Sequence, residues 1–201
     1  MIYIVIVAVI GVIIFTLTQR RRGKGQEVEK DALTLAWEKK DYDAYLALID
    51  EKIAKNSNRK EKHILATLKL PVYILEKDWE KMDALKRNVK MTELPKKIRV
   101  TFLCQYIIGL CLSDRPAAAL KWMEREAPLL TEAEANGTYA LYIDSVRGLE
   151  AFYRGDYTKS RALFSELKAK NVPGDLYAPL FESYLAKIDE AETEQTKEME
   201  E

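Results

Sequence analysis

The chain has 201 residues, and its 32 lysine and arginine residues balance 32 aspartate and glutamate residues to give a formal net charge of zero. A neutral chain gives no electrostatic reason to expect nucleic acid as a partner. Once an anchor and a tail are set aside, the length allows one domain with a real hydrophobic core and argues against two.

The first element is apolar. Residues 2–17 read IYIVIVAVIGVIIFTL, and Met1 and Thr18 extend the uncharged run to eighteen residues, about the shortest span that crosses a bilayer. A cleaved secretory signal would instead show a basic n-region, a shorter apolar core and a small-residue cleavage site, and none is present. We therefore predict an uncleaved transmembrane anchor over residues 1–19.

A basic cluster follows the anchor at Arg20, Arg21, Arg22 and Lys24. Positive residues favour the cytoplasmic side, so the sequence predicts a single-pass protein of the inner or plasma membrane with its C-terminal domain in the cytoplasm. We assign residues 20–25 as a juxtamembrane linker whose charges either contact anionic headgroups or act only as the topology signal.

Beyond residue 26 the apolar residues recur at helical spacing, and no run has the composition of a strand. Turn and cap residues divide the chain into nine predicted helices, near residues 26–40, 42–55, 59–76, 79–90, 95–112, 116–127, 138–154, 157–170 and 176–190. Pro71 should kink or split the third of these. Residues 191–201 form an acidic tail, which we expect to fray from the last helix or to be disordered.

The predicted helix starts have recognisable caps. Asn58 with Glu61 and Thr131 with Glu134 have capping-box spacing. Four aspartates also resemble caps and lie 37, 36 and 42 residues apart, at Asp41, Asp78, Asp114 and Asp156. A period in this range with two helices per unit indicates stacked helical hairpins.

Residues 141–173 carry the clearest repeat: Gly148 in the first helix, Gly155-Asp156-Tyr157 at the turn, then Ser160, Phe164 and Pro173. Ile108, Gly109 and Leu112 match a second unit less closely. In these positions the chain resembles the tetratricopeptide repeat family. The resemblance, over residues 26–190, implies an all-α fold in which the transmembrane helix precedes a tetratricopeptide-like stack of about four helical hairpins and a C-terminal capping helix.

In that family the first helices of the hairpins line a concave groove that binds other proteins. Carried over to the two matched units, the resemblance implies an apolar partner-binding surface at Leu103, Tyr106, Leu110, Tyr142, Ser145, Leu149 and Phe152. The same side chains could instead pack against neighbouring helices and expose little.

The charge is unevenly distributed along the chain. Residues 55–99 hold 13 basic and 6 acidic side chains, and residues 124–201 hold 9 basic and 17 acidic ones. The basic region, and Lys96, Lys97 and Arg99 in particular, is a candidate surface for an acidic partner or an anionic bilayer. The alternative is that these are ordinary solvated helix faces.

No catalytic signature occurs in the sequence. His63 is the only histidine, and Cys104 and Cys111 are too far apart on one helix for a disulfide, so we expect neither a metal site nor a cofactor or small-molecule substrate. We expect a non-enzymatic, membrane-anchored adaptor for protein partners. The alternatives are a structural subunit whose anchor packs on other transmembrane helices, and an unrecognised helical enzyme.

Overall fold

A computed structural model describes residue 35 and residues 39–137, 139–170 and 178–200. Helices form all of the regular structure in these ranges, which confirms the all-α prediction. A short 3-10 turn covers Met91–Glu93. The α-helices are α1 Tyr42–Lys55, α2 Arg59–Thr67, α3 Leu70–Leu75, α4 Trp79–Asn88, α5 Lys96–Leu112, α6 Pro116–Arg125, α7 Ala127–Ala135, α8 Ala140–Tyr153, α9 Tyr157–Ala169 and α10 Ala178–Glu200.

Most of the N-terminal predictions concern residues outside the described ranges. The anchor over 1–19, the linker over 20–25 and nearly all of the predicted helix 26–40 lie outside the described residues. Within the described ranges, no helix is both long enough and apolar enough to cross a bilayer.

The predicted helix 59–76 is split at Pro71, as expected. Asn58 caps α2, because its side-chain oxygen accepts from the backbone N–H of Lys60 at 3.0 Å. Helix α2 ends at Thr67, and α3 begins at Leu70 with Pro71 in its first turn. A proline is tolerated there because first-turn N–H groups have no partner within the helix.

One helix is missing from the prediction. Thr131 and Glu134 do not start a helix, as their capping-box spacing suggested, but lie inside α7, which begins at Ala127. The guanidinium of Arg147 in α8 donates to both, to Glu134 at 2.9 Å and to Thr131 at 3.3 Å. The polar pair therefore serves a contact between helices and is not an N-terminal cap.

The acidic tail also differs from the prediction, because α10 continues through it to Glu200. Arg161 in α9 pairs with Asp189 at 2.7 Å and with Glu192 at 2.6 Å. These two ion pairs, one helical turn apart, hold the start of the acidic segment in helical register.

Packing divides the described chain into two compact units, one ending at Tyr106 and the other beginning at Ile107. In the first unit α1 packs against α2, and α3 against α4. In the second, α8 packs against α6, α7 and α9, and α9 packs against α10. Pairs of sequence-adjacent helices are compatible with a helical repeat architecture.

Three helix–helix turns share one backbone geometry. Each has a left-handed residue, with φ of 56° at Lys77, 57° at Asp114 and 80° at Gly155. The next residue's N–H donates to the carbonyl five residues earlier, at 2.8 Å from Asp78 and 2.9 Å from both Arg115 and Asp156. This is the Schellman arrangement, which satisfies carbonyls at the end of one helix while the next helix starts.

The predicted aspartate caps are confirmed at three of four positions. Asp41, Asp78 and Asp156 accept from the backbone N–H three residues on, at 3.0, 3.0 and 3.1 Å. Asp114 is not a cap, because it occupies the left-handed position one residue earlier. Arg115 stands at the cap position and makes no capping hydrogen bond.

Candidate functional site

The best-matched hairpin, α8 with α9, has the close packing that the repeat pattern implied. A Cβ placed on Gly148 would lie 2.8 Å from Cε1 and Cζ of Phe164, so the ring rests on the α8 backbone. Ser160 is fully buried, and its hydroxyl donates to the Gly148 carbonyl at 2.9 Å. A glycine, a small residue and an aromatic ring together set the spacing of this helix pair.

The predicted groove is largely closed. Six of its seven side chains are at most 7% exposed, namely Leu103, Tyr106, Leu110, Tyr142, Ser145 and Leu149. Their polar groups have partners within the chain: the Tyr106 hydroxyl donates to Asp83 at 3.0 Å, and the Ser145 hydroxyl donates to the Leu141 carbonyl at 2.6 Å. The expectation that these six side chains are exposed is therefore wrong.

Helix α5 explains the closure on its side of the predicted groove. Every residue from Val100 to Cys111 is buried, so this part of α5 has no face left to present to a partner. A helix that is apolar on all sides belongs inside a core, whereas a groove-lining helix keeps one face open. Around α8, the neighbouring helices α6, α7 and α9 cover the side chains in the same way.

Phe152 is the half-buried member of the predicted set. Its ring contacts Tyr153 at 5.1 Å, Tyr157 at 5.6 Å and Tyr184 at 5.0 Å between centroids. The hydroxyls of Tyr153 and Tyr184 lie 2.5 Å apart. The repeat resemblance implied Phe152 but not this aromatic cluster, whose members come from three helices.

Three side chains of the basic region lie near one acidic residue, Glu93, in the 3-10 turn before α5. Its carboxylate lies 3.6 Å from Arg59 Nε, 3.5 Å from His63 Nε2 and 3.7 Å from Lys90 Nζ. We define the basic surface as Arg59 and Lys90, which lie near Glu93, together with Lys96, Lys97 and Arg99, which follow the turn at the start of α5.

The predicted residues of the basic surface differ in exposure. Lys96 and Lys97 are exposed, and Arg99 is half-buried. Arg99 Nε is shielded from solvent and has no hydrogen-bond partner among the described residues. The first turn of α5 carries no acidic residue, so these cations add to the positive potential at the start of that helix.

Both cysteines are free thiols and are buried. Burial raises the pKa of Cys111 from its ordinary value of 9.0 to about 12. Across the described residues, no group of three or more histidine, cysteine, aspartate or glutamate side chains is arranged to hold a metal ion.

Comparison of the chain with protein-family models, with curated proteins and with solved structures finds no match. The resemblance to tetratricopeptide repeats therefore rests on the residues and on the geometry of α8 and α9.

Proposed function

We propose that the protein is a membrane-anchored adaptor whose helical domain lies in the cytoplasm and binds a protein partner. The observation that supports it best is the repeated helix–turn–helix geometry at Lys77, Asp114 and Gly155, together with the Gly148–Phe164 contact. Helical hairpins built in this way commonly serve as scaffolds for protein recognition, and fold-level analogy carries this step.

The candidate contact positions differ from those expected of an open groove. Of the seven groove residues, Phe152 retains accessible surface, next to the half-buried Tyr153 and Tyr157. Aromatic side chains at the edge of a cluster suit protein recognition because each combines a large apolar area with few rotatable bonds. We place the partner contact at Phe152 and its neighbours.

A photoreactive residue introduced into the full-length chain in cells tests this proposal. Benzoylphenylalanine replacing Phe152 should capture a defined protein, identified by mass spectrometry. The same residue replacing Ser183, which is exposed on α10, is the matched control and should not capture it. Equal capture at both positions, or no capture at Phe152, would contradict the adaptor role.

The alternative, a structural subunit of a membrane complex, gives a different pattern in the same experiment. In that role the anchor packs on other transmembrane helices. Benzoylphenylalanine replacing Ile13 would then capture a membrane protein, while benzoylphenylalanine replacing Phe152 would capture nothing.

A further inference from the structure

We infer that the basic surface binds the anionic headgroups of the bilayer that holds the predicted anchor. The inference rests on the membrane attachment in the proposed function and goes further by assigning a ligand to this surface. It depends on the charge balance around Glu93, on the absence of an apolar centre, and on the length of chain between the anchor and α1.

Glu93 does not neutralise the cations around it. One carboxylate faces Arg59, His63 and Lys90 at 3.5 to 3.7 Å, which is longer than the 2.7–2.9 Å typical of a charge-assisted hydrogen bond. The side chains of Arg59 and Lys90 are 65% and 55% exposed. The weak engagement by Glu93 therefore leaves the charges of Arg59 and Lys90 open to an external anion.

Two further cations of the basic surface have no ion pair with a described residue. Among the residues that the structure describes, Lys97 and Arg99 form no ion pair, and Lys97 is exposed. In the second unit, by contrast, Arg147, Arg154 and Arg161 each bind two carboxylates. Among the described residues, Arg99 thus lacks the paired carboxylates that engage these three arginines.

The composition of the basic surface favours lipid over protein. Protein interfaces usually have a buried apolar or aromatic centre within a polar rim. Among the described residues, Leu112 is the exposed large apolar side chain. It belongs to the second unit and not to the unit that holds the basic surface. A surface with charge and no apolar centre matches headgroups, which attract lysine and arginine through charge.

The chain length allows the contact. The predicted anchor ends at residue 19 and α1 begins at Tyr42, and the residues between them can span at most about 80 Å when fully extended. The linker is therefore long enough to let the basic surface turn toward the same bilayer. Attraction acts only near contact, since the Debye length is about 10 Å at 0.1 M salt.

Lysine footprinting of the full-length chain in lipid nanodiscs tests the inference without any other protein present. One set of discs contains phosphatidylcholine alone, and the other also contains phosphatidylserine. We expect acylation of Lys97 to slow several-fold in the phosphatidylserine discs only, and to recover at 1 M salt. Lys121, exposed on α6 of the second unit, is the internal reference and should not change.

Matched charge reversals distinguish an effect of the basic surface from an effect of the net charge. Lys96→Glu with Lys97→Glu should abolish the lipid-dependent protection, now read at Lys90. The double variant Lys121→Glu with Lys159→Glu reverses two exposed lysines of the second unit. It changes the net charge by the same amount as the first double variant and should leave the protection intact. Equal loss in both variants would overturn the assignment to the basic surface.

The remaining outcomes are also decisive. Chains that fail to co-elute with discs would refute the membrane attachment, and with it this inference. Chains that co-elute but label identically in both lipids would refute the inference alone. Protection of Lys97 by a captured acidic protein in cells, with none in purified discs, would assign the surface to a protein instead.

Discussion

At the scale of single residues, Gly148 and Phe164 fix the distance between α8 and α9. Gly148→Ala places a methyl group 2.8 Å from a ring that is fully buried, and overpacking of this kind costs about 1–3 kcal/mol. Phe164→Ala removes the ring and costs about 3–5 kcal/mol. Urea denaturation of the detergent-solubilised chain, followed by circular dichroism, measures both changes.

The contact between Gly148 and Phe164 also predicts that the costs of the two substitutions are coupled. In the Phe164→Ala background the clash disappears, so Gly148→Ala should cost much less there than in the parent chain. Ser165→Ala, an exposed change next to Phe164 on α9, is the control and should stay within about 0.5 kcal/mol of the parent. Strictly additive costs would show that the contact does not set the helix spacing.

The buried thiol at Cys111 predicts slow chemistry. Its pKa of about 12 makes the thiolate at pH 8 roughly a thousandfold rarer than in the unfolded chain. Alkylation at Cys111 should therefore be slow in the native protein and fast in urea, as read by mass spectrometry. Rapid native alkylation would show that the site is open to solvent.

The same shift has a defined effect on stability. The folded pKa lies above the ordinary value of 9.0, so the contribution of this thiol is fully present below pH 9 and is lost as the pH rises toward 12. A Cys111→Ala variant should lack this part of the alkaline loss.

At the scale of elements, two of the three equivalent turns, at Lys77 and Gly155, should respond to substitution with opposite changes in stability. Lys77 holds a left-handed conformation that costs a non-glycine residue about 1–2 kcal/mol. Lys77→Gly relieves that cost and adds about 0.5–1 kcal/mol of chain entropy to the unfolded state, so stability should rise by roughly 0.5 kcal/mol. Gly155→Ala, at the equivalent position, should lower it by a similar amount.

A control distinguishes turn geometry from glycine content. Ala162 is exposed in the middle of α9, where alanine to glycine costs about 1 kcal/mol. Thermal unfolding should therefore rank Lys77→Gly above the parent and Ala162→Gly below it. If both glycine variants were destabilised alike, the left-handed turn would not be the feature that matters at Lys77.

Local signals predicted most helices because their causes are local. The Asn58 cap and the break at Pro71 depend on residues within one turn of the chain, and both are confirmed. The start of α7 was missed because Thr131 and Glu134 accept hydrogen bonds from Arg147 on another helix. The acidic end of α10 was missed for the same reason, since Arg161 supplies its counter-charge from α9.

The candidate site was less predictable than the fold. The family resemblance placed six groove side chains on an open face, but the resemblance does not show which faces neighbouring helices cover. Residues 100–111 of α5 are mostly apolar around the whole helix, and that pattern indicated a core position rather than a groove. The cluster around Glu93 needed α2 to meet the 3-10 turn, which spacing along the chain does not reveal.

At the scale of the whole molecule, the predicted orientation follows from Arg20, Arg21, Arg22 and Lys24. A reporter active only in the cytoplasm, fused after Glu201, should be active, and one active only outside should stay silent. Replacing the four basic residues with glutamine should weaken this preference, because the charge bias that retains this end in the cytoplasm is removed. The opposite pattern of reporter activity would reverse the assigned orientation.

Helix α5 contributes residues to both compact units, which meet in sequence between Tyr106 and Ile107. No cut at that boundary leaves either unit intact, since it would sever a helix whose residues 100–111 are all buried. Opening this helix requires disruption of the core around it, whereas frayed ends open at little cost. In deuterium exchange, the amides of residues 100–111 should therefore be among the last to take up label, long after the acidic end of α10 has exchanged.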